Sequence, residues 1–292
     1  MADEKRIAYI GVGLMGLPMV KRLTARGWQV RAYDIVPEKI EAARAAGAEA
    51  AASPADALRG TDFALLNLPT TEAVEKAVLG ESGLAGALRA PQLVVDFSTI
   101  RVDACRTLAA RIAERSGCRW VDVPVSGGPP AVAEGTLTVM AGGEATDIER
   151  LRPLMADIAQ RCTHMGAIGA GLAAKMINQL IVGVGHALLA EGVGLAEAAG
   201  IDAARIPECL AGGYADSRML QTYWPRMVAR DFAPRGYVRQ LLKDLEMVNE
   251  WGAGMKVPLP ATAQAAALFR MHAHRGNTEL DTSSICMLFD AD

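Results

Sequence analysis

Several features are scarce in this chain, and their scarcity closes whole classes of function. Aromatic residues make up only 5% of the 292 positions, and 30 Lys and Arg stand against 33 Asp and Glu, a net charge of −3. Nucleic acids and anionic membranes are held by basic faces, so neither is expected as a partner. The five cysteines (Cys105, Cys118, Cys162, Cys209, Cys286) are odd in number and include no CxxC pair. That arithmetic argues against a disulfide framework or a zinc site and for a reducing, cytoplasmic compartment. His272 and His274 form an HxH with no third ligand in view, so no metal is expected. Uninterrupted apolar runs are lacking too. The longest, 176–190, is broken by Asn178, Gln179 and His186, and reads as a buried core or interface helix rather than a membrane span. The opening MADEKRIAYIGVG has acidic residues at its front and shows no signal-peptide pattern.

What is present is ordinary globular material, 51% hydrophobic and 22% charged, enough for one large domain or two of common size. In the first half, short β-rich runs alternate with Ala-rich helical stretches. The runs at 7–12, 29–35, 63–68, 92–98, 119–125 and 137–142 are mostly continuous in apolar residues, the mark of strands buried on both faces. Four periodic segments between them each end at glycine, which predicts helices and therefore βαβ units around a mostly parallel sheet. Past Gly166 the strand signals fade. Residues 169–200 are helical in period, and Pro207, Pro225, Pro234, Pro258 and Pro260 interrupt the remainder of the chain. The expectation is an α/β Rossmann-type domain at 1–165 and an all-α domain at 166–292 built on a long helix.

Gly11-Val12-Gly13-Leu14-Met15-Gly16 is a GxGxxG between the first strand and the first helix. The first glycine permits the turn, the second lets a pyrophosphate approach the backbone, and the third allows close packing of helix on strand. The phosphates of a dinucleotide would lie on the helix N-terminus. Alone the motif is weak, because glycine is abundant here. Asp34 strengthens it: it closes the second strand 23 residues beyond Gly11, where an acid accepts bonds from ribose hydroxyls. The same carboxylate repels a 2′-phosphate, and no Arg follows it in Ile35-Val36-Pro37, so NAD is favoured, with NADP kept open by Lys39.

A second glycine cluster, Ser126-Gly127-Gly128, follows the strand at 119–125. Consecutive glycines beside a serine expose N–H groups that suit a carboxylate, and a plain turn between strands fits the spacing equally well. Lys175 stands in an otherwise uncharged run from Gly169 to Ala190. Desolvation drives a buried lysine toward the neutral amine, the form that takes up a proton, although a lysine snorkelling from a helix end gives the same pattern. Asn178 and Gln179, three and four residues on, share its helical face and are candidates to hold a substrate.

Ile10 to Met19, Asp122 to Gly128, Gly135-Thr136-Leu137-Thr138 and Gly171 to Gln179, in that order, resemble the signature blocks of the β-hydroxyacid dehydrogenases. That family includes 3-hydroxyisobutyrate dehydrogenases and tartronate semialdehyde reductases. The resemblance runs from residue 6 to about 285 and takes in Lys243-Asp244 and Gly276…Asp281. It implies NAD(P)-linked interconversion of a β-hydroxy acid and its semialdehyde or β-keto acid by a homodimer or homotetramer. Lys175 would be the general acid and base. Ser126, Gly127, Gly128, Asn178 and Thr99 would hold substrate, with Leu68, Pro69, Thr70, Thr99 and Lys243 around the nicotinamide. Val12, Ala73, Ala131-Val132 and Gln179 depart from the usual pattern and bear on which substrate is taken. Three other readings share parts of this pattern. An imine reductase usually carries Asp or Tyr in place of the lysine. A 6-phosphogluconate-type decarboxylating enzyme needs a larger helical half. A non-catalytic oligomerisation module would have lost Lys175.

Overall fold

The structure is a computed structural model that describes residues 5–290; the acidic opening weighed above falls partly outside them. The chain divides into two compact units, Met1–Lys175 and Met176–Asp292, and the expected boundary near 165 falls at the end of the last strand of the first.

The first unit is built on nine strands: β1 (Arg6–Ile10), β2 (Gln29–Tyr33), β3 (Glu49–Ala50), β4 (Phe63–Leu66), β5 (Leu93–Asp96), β6 (Arg119–Asp122), β7 (Val125–Ser126), β8 (Leu137–Gly142) and β9 (Ala159–Gly166). Their order is β3-β2-β1-β4-β5-β6-β8-β7, with β9 paired to β8. Strands β1 to β6 run parallel, in the order of a dinucleotide-binding fold, and β8 joins antiparallel. Crossover helices Gly16–Ala25, Pro37–Ala45, Thr71–Leu79 and Val102–Ser116 match the periodic segments of the sequence. Gly117 caps the last of them at φ +68. Ile7, Tyr9, Leu65, Leu93, Val95 and Val121 form the fully buried centre of the sheet's core.

Three local differences from the sequence expectation have physical causes. The run 119–125 breaks into β6 and β7 at Val123-Pro124, because proline has no N–H for a ladder bond. β3 has two residues, too few to show a pattern. β9, Ala-Gln-Arg-Cys-Thr-His-Met-Gly, is an edge strand with six exposed positions, so it carries no apolar signal.

The second unit is helical. The helix Ala170–Ala198 runs into it from the first unit, and Arg218–Val228, Val238–Gly254 and Pro260–His274 follow with shorter turns between them. Pro225 sits within Arg218–Val228 rather than ending it, three residues before the last turn closes. Glycines on the long helix let neighbours in: a Cβ on Gly183 would stand 2.5 Å from Leu245, and one on Gly192 would stand 2.8 Å from Trp224. Among the described residues the long helix is the one long and apolar enough to cross a membrane. Its buried face carries Gln179 and His186, both hydrogen-bonded within the unit, which is the behaviour of a core helix.

Candidate active site

The glycine loop leaves β1 toward the helix Gly16–Ala25, and its three glycines do different work. A Cβ on Gly11 (φ +99) would lie 2.3 Å from the Asn67 carbonyl oxygen, and one on Gly16 would lie 2.1 Å from the Gly11 carbonyl oxygen. Both positions are closed to any side chain. A Cβ on Gly13 would meet nothing within 4 Å, so its backbone faces open space beside a helix N-terminus. That is the room a pyrophosphate needs. Asp34 accepts from Val12 N at 2.7 Å and from Val36 N at 3.0 Å, which pins its carboxylate against the loop. Each oxygen retains acceptor capacity for a ribose hydroxyl. Ile35 beside it is 82% exposed, an apolar surface that no pattern in the sequence announces. The residues present fit a dinucleotide.

The next carboxyl-end loops stand beside this one because β4 and β5 follow β1 in the sheet. Leu68 N donates to Ser98 Oγ at 2.9 Å, and Thr70 caps the helix Thr71–Leu79 by accepting from Ala73 N at 3.1 Å. Pro69 is exposed and Thr99 half-buried. Leu68, Pro69, Thr70 and Thr99 therefore flank the point between β1 and β4 at which the strand order reverses, the usual ligand position in such sheets.

Lys175 is 8% exposed, and its Nζ donates to the carbonyl of Val125 at 2.8 Å. Val125 leads directly into Ser126, Gly127 (φ +132) and Gly128 (φ +68), which open the helix Gly128–Glu134. The lysine and the second glycine cluster, 47 residues apart in the chain, are thus brought together. A Cβ on Gly127 would come within 2.5 Å of Ala131, so Ala131, one of the unusual residues, packs directly behind the loop.

What holds Lys175 there is a residue to which the sequence assigned no role. Asp122 is fully buried and accepts from Gly169 N at 2.7 Å and Leu172 N at 2.8 Å, satisfying two N–H groups at the start of the lysine's helix. Burial pushes its carboxyl above the ordinary range, and the backbone N–H groups pull it back. The signal was available: an acid following the buried apolar pair Trp120-Val121 has to find buried donors.

In the second unit, Asn178 Nδ2 donates to Gln179 Oε1 at 2.8 Å, and Gln179 Nε2 donates to Asp244 Oδ2 at 2.5 Å. Lys243 Nζ lies 3.1 Å from Asp244 Oδ1. The basic side chain that turns inward is Arg226, and its donors are taken by Asp281 at 2.8 Å, Asp231 at 3.1 Å and the Ala233 carbonyl at 2.8 Å. His186 bonds Thr282 Oγ1 at 3.0 Å and packs with its ring tilted against that of Tyr223, centroids 4.3 Å apart, and Trp224 donates to the Ala203 carbonyl at 2.8 Å. All three serve the core. His272 is buried against Ser284 while His274 is exposed, and no group of three metal-binding side chains occurs among the described residues. Burial pushes the Cys105 thiol far up, which removes it as a nucleophile.

Residues 6–166 match the NAD binding domain of 6-phosphogluconate dehydrogenase, and residues 169–289 match the family described as NAD-binding of NADP-dependent 3-hydroxyisobutyrate dehydrogenase. The chain is 34% identical over 294 residues to an NAD-dependent L-serine dehydrogenase of Pseudomonas aeruginosa, covering 98% of each. It is 32% identical to the 2-hydroxy-3-oxopropionate reductase of Escherichia coli, over 96% of this chain and 95% of that one. A structure of Mycobacterium tuberculosis 3-hydroxyisobutyrate dehydrogenase with L-serine superposes with a TM-score of 0.87 at 30% identity, covering 98% of this chain and 99% of the other. Imine reductases such as that of Streptomyces aurantiacus share the fold at a TM-score of 0.67 and 22% identity. With its glycine loop, its strand order and relatives that match end to end, the chain belongs to the β-hydroxyacid dehydrogenase family and is an NAD(P)-dependent oxidoreductase of CH–OH groups.

Proposed function

We propose that the chain oxidises a small β-hydroxy acid at its β-carbon with NAD, Lys175 serving as general base in oxidation and general acid in reduction. The observation that carries this reading is the buried Lys175 Nζ, 2.8 Å from the Val125 carbonyl and next to Ser126-Gly127-Gly128. The bound nicotinamide supplies the hydride acceptor, with Gly11 to Gly16 and Asp34 holding the dinucleotide and Leu68, Pro69, Thr70, Thr99 and Lys243 around its reactive end. Ser126 Oγ and the N–H groups of Gly127 and Gly128 bind the substrate carboxylate, which presents the β-carbon rather than the α-carbon. Asn178, and Thr99 from its loop, orient the rest of the molecule. The amine of Lys175 takes the β-hydroxyl proton as the C–H bond is broken, and the ammonium returns it in reduction.

Asp34 supports NAD over NADP, because one of its oxygens is tied to the loop through Val12 N and the other to Val36 N, so neither can turn away from a 2′-phosphate. Arg226, a buried basic side chain that could have met a second acidic group, is spent within its own core. That favours a small monocarboxylate over a dicarboxylate. L-Serine, the substrate named for one relative and the ligand named for one structural neighbour, is the first compound to try. The long helix supports self-association with a second copy of the chain. Ile177, Ile181, Leu188 and Leu195 are each more than half exposed and fall on one stripe of it. Five free thiols suit a cytoplasmic setting.

The test is initial-rate oxidation of L-serine, 3-hydroxyisobutyrate, 3-hydroxypropionate and D-glycerate with NAD and NADP at mildly alkaline pH. Lys175→Ala is expected to lose about 10²–10⁴-fold in kcat with dinucleotide affinity nearly unchanged, the range of general acid–base assistance. A variant that retains most of its kcat sinks the lysine's role, and a parent that prefers NADP sinks the reading of Asp34.

A further inference from the structure

The amide of Asn178 is not free to choose which end it shows. A carboxylate can only accept hydrogen bonds, so the buried Asp244, 6% exposed, compels Gln179 to face it with Nε2, at 2.5 Å. Gln179, itself 9% exposed, then turns Oε1 toward Asn178, and that oxygen accepts from Asn178 Nδ2 at 2.8 Å. The direction of donation is therefore set at Asp244 and passed along two amides. Asn178 is left presenting its acceptor Oδ1, together with the second N–H of Nδ2. Lys243 Nζ lies 3.1 Å from the other oxygen of Asp244.

We propose that the Asp244–Gln179–Asn178 chain makes this enzyme selective for β-hydroxy acids whose α-carbon carries an N–H or O–H donor, an α-amino or α-hydroxy substituent, over those with an α-alkyl group. The inference rests on the functional reading in which Lys175 and Asn178 address one substrate from a single helical face three residues apart. Under that reading the substrate's donors can be counted. The β-hydroxyl has one proton, which goes to Lys175 Nζ. The carboxylate at Ser126-Gly127-Gly128 has none. The one substrate position left that can satisfy Asn178 Oδ1 is a protic substituent on the α-carbon. A substrate lacking it leaves a desolvated acceptor without a partner, and sites built around such a bond reject the analogue strongly. Gln179 and Asp244 are positioning residues in this account, since neither touches the substrate.

The experiment measures kcat/KM for L-serine and D-glycerate against 3-hydroxyisobutyrate, with dinucleotide affinity followed by fluorescence as a control on Lys243. The parent is expected to favour the better of the first two by about 10–100-fold, the value of one buried hydrogen bond. Asp244→Asn can donate as well as accept, so Gln179 and Asn178 lose their fixed polarity and the preference should collapse to within about threefold. The double variant Gln179→Glu with Asp244→Asn puts the acceptor-only group one place along. The relocated carboxylate then accepts from both neighbours, Asn178 again presents Oδ1, and the preference should return. Should Asp244→Asn not fold, Gln179→Met leaves Asp244 and Lys243 in place and is expected to abolish the preference in the same way. A parent without the preference, or a preference that survives these substitutions, overturns the inference while Lys175-dependent turnover keeps the functional reading intact. A parent that turns over no β-hydroxy acid overturns the functional reading, and the inference with it.

Discussion

Replacing Asp122 tests the physical claim on which the candidate site depends, that a buried carboxylate anchors the helix carrying Lys175. Asp122→Ala leaves the N–H groups of Gly169 and Leu172 buried without an acceptor. Each orphaned donor costs about 1–3 kcal/mol, and relief of the buried charge offsets part of that, so a net loss of about 2–5 kcal/mol is expected. In a chain of this size that is a fall in melting temperature of roughly 5–15 °C. Asp122→Asn keeps one acceptor and points an NH2 at the other donor, but it also removes the charge that burial disfavours. Its loss should be smaller, about 1–3 kcal/mol. The two variants also differ in pH dependence. Burial raises the folded-state pKa of Asp122, so its contribution is full below the ordinary carboxylate range and declines as pH rises through the raised value. The deficit of Asp122→Asn relative to the parent should therefore shrink as pH rises above the ordinary carboxylate range. Lys175 lies one turn beyond Leu172, so loosening the helix start also moves Nζ away from the Val125 carbonyl. Asp122→Ala should lose at least about tenfold in kcat/KM while dinucleotide affinity stays within a few-fold, since misplacing a reacting group by an ångström costs about that or more. Differential scanning calorimetry with initial rates decides it: an alanine variant that melts within 2 °C of the parent and keeps its rate refutes the anchoring argument.

Three further expectations concern other parts of the molecule. Gly171→Ala should destabilise despite the gain of about 1 kcal/mol in helix propensity. The new Cβ would stand 2.4 Å from the Met140 carbonyl and 2.7 Å from that of Asp122, backbone atoms that cannot yield; a raised urea midpoint would contradict this. His272, held down to about 4 by burial and secondarily by Arg275, should make the parent acid-sensitive. The unfolded chain takes up a proton near pH 6.5 that the folded chain refuses until about 4, so stability is full above that window and falls as pH drops through it. From pH 7 to pH 5 the loss from this one group is about 2 kcal/mol, with His186 adding in the same direction, and His272→Gln should flatten the dependence of the urea midpoint on pH. Leu188→Glu, at a position 66% exposed in the single chain, should leave monomer stability within about 0.5 kcal/mol yet lower the mass seen by light scattering. A parent that is itself monomeric would remove the argument for the apolar stripe.

How much of this was legible beforehand depends on where each residue's constraint resides. Gly11, Gly13, Gly16 and Asp34 could be read from the sequence because a short stretch of chain, strand to turn to helix to strand, sets their geometry locally. The parallel sheet was legible because strands buried on two faces have to be apolar throughout, whereas β9 lies at an edge and had no reason to be. Lys175 stood out by contrast with its uncharged surroundings. Its placement beside Ser126 is a matter of tertiary folding, and spacing alone left both residues open to simpler readings. Asp122 and Asp244 were hardest, though each sat in plain view inside a recognisable block. Their work is to satisfy donors 47 to 65 residues away, and no local pattern carries that information. Yet the rule that exposes them is elementary. Asp122 closes a strand whose other buried residues, Trp120 and Val121, are apolar, and Asp244 faces inward on Val238–Gly254, so neither can remain without donors. Searching for those donors leads from Asp122 to the start of the lysine's helix, and from Asp244 through Gln179 to Asn178. The two carboxylates that the sequence left without roles thus brace the same helix, one on each side of Lys175 in the chain.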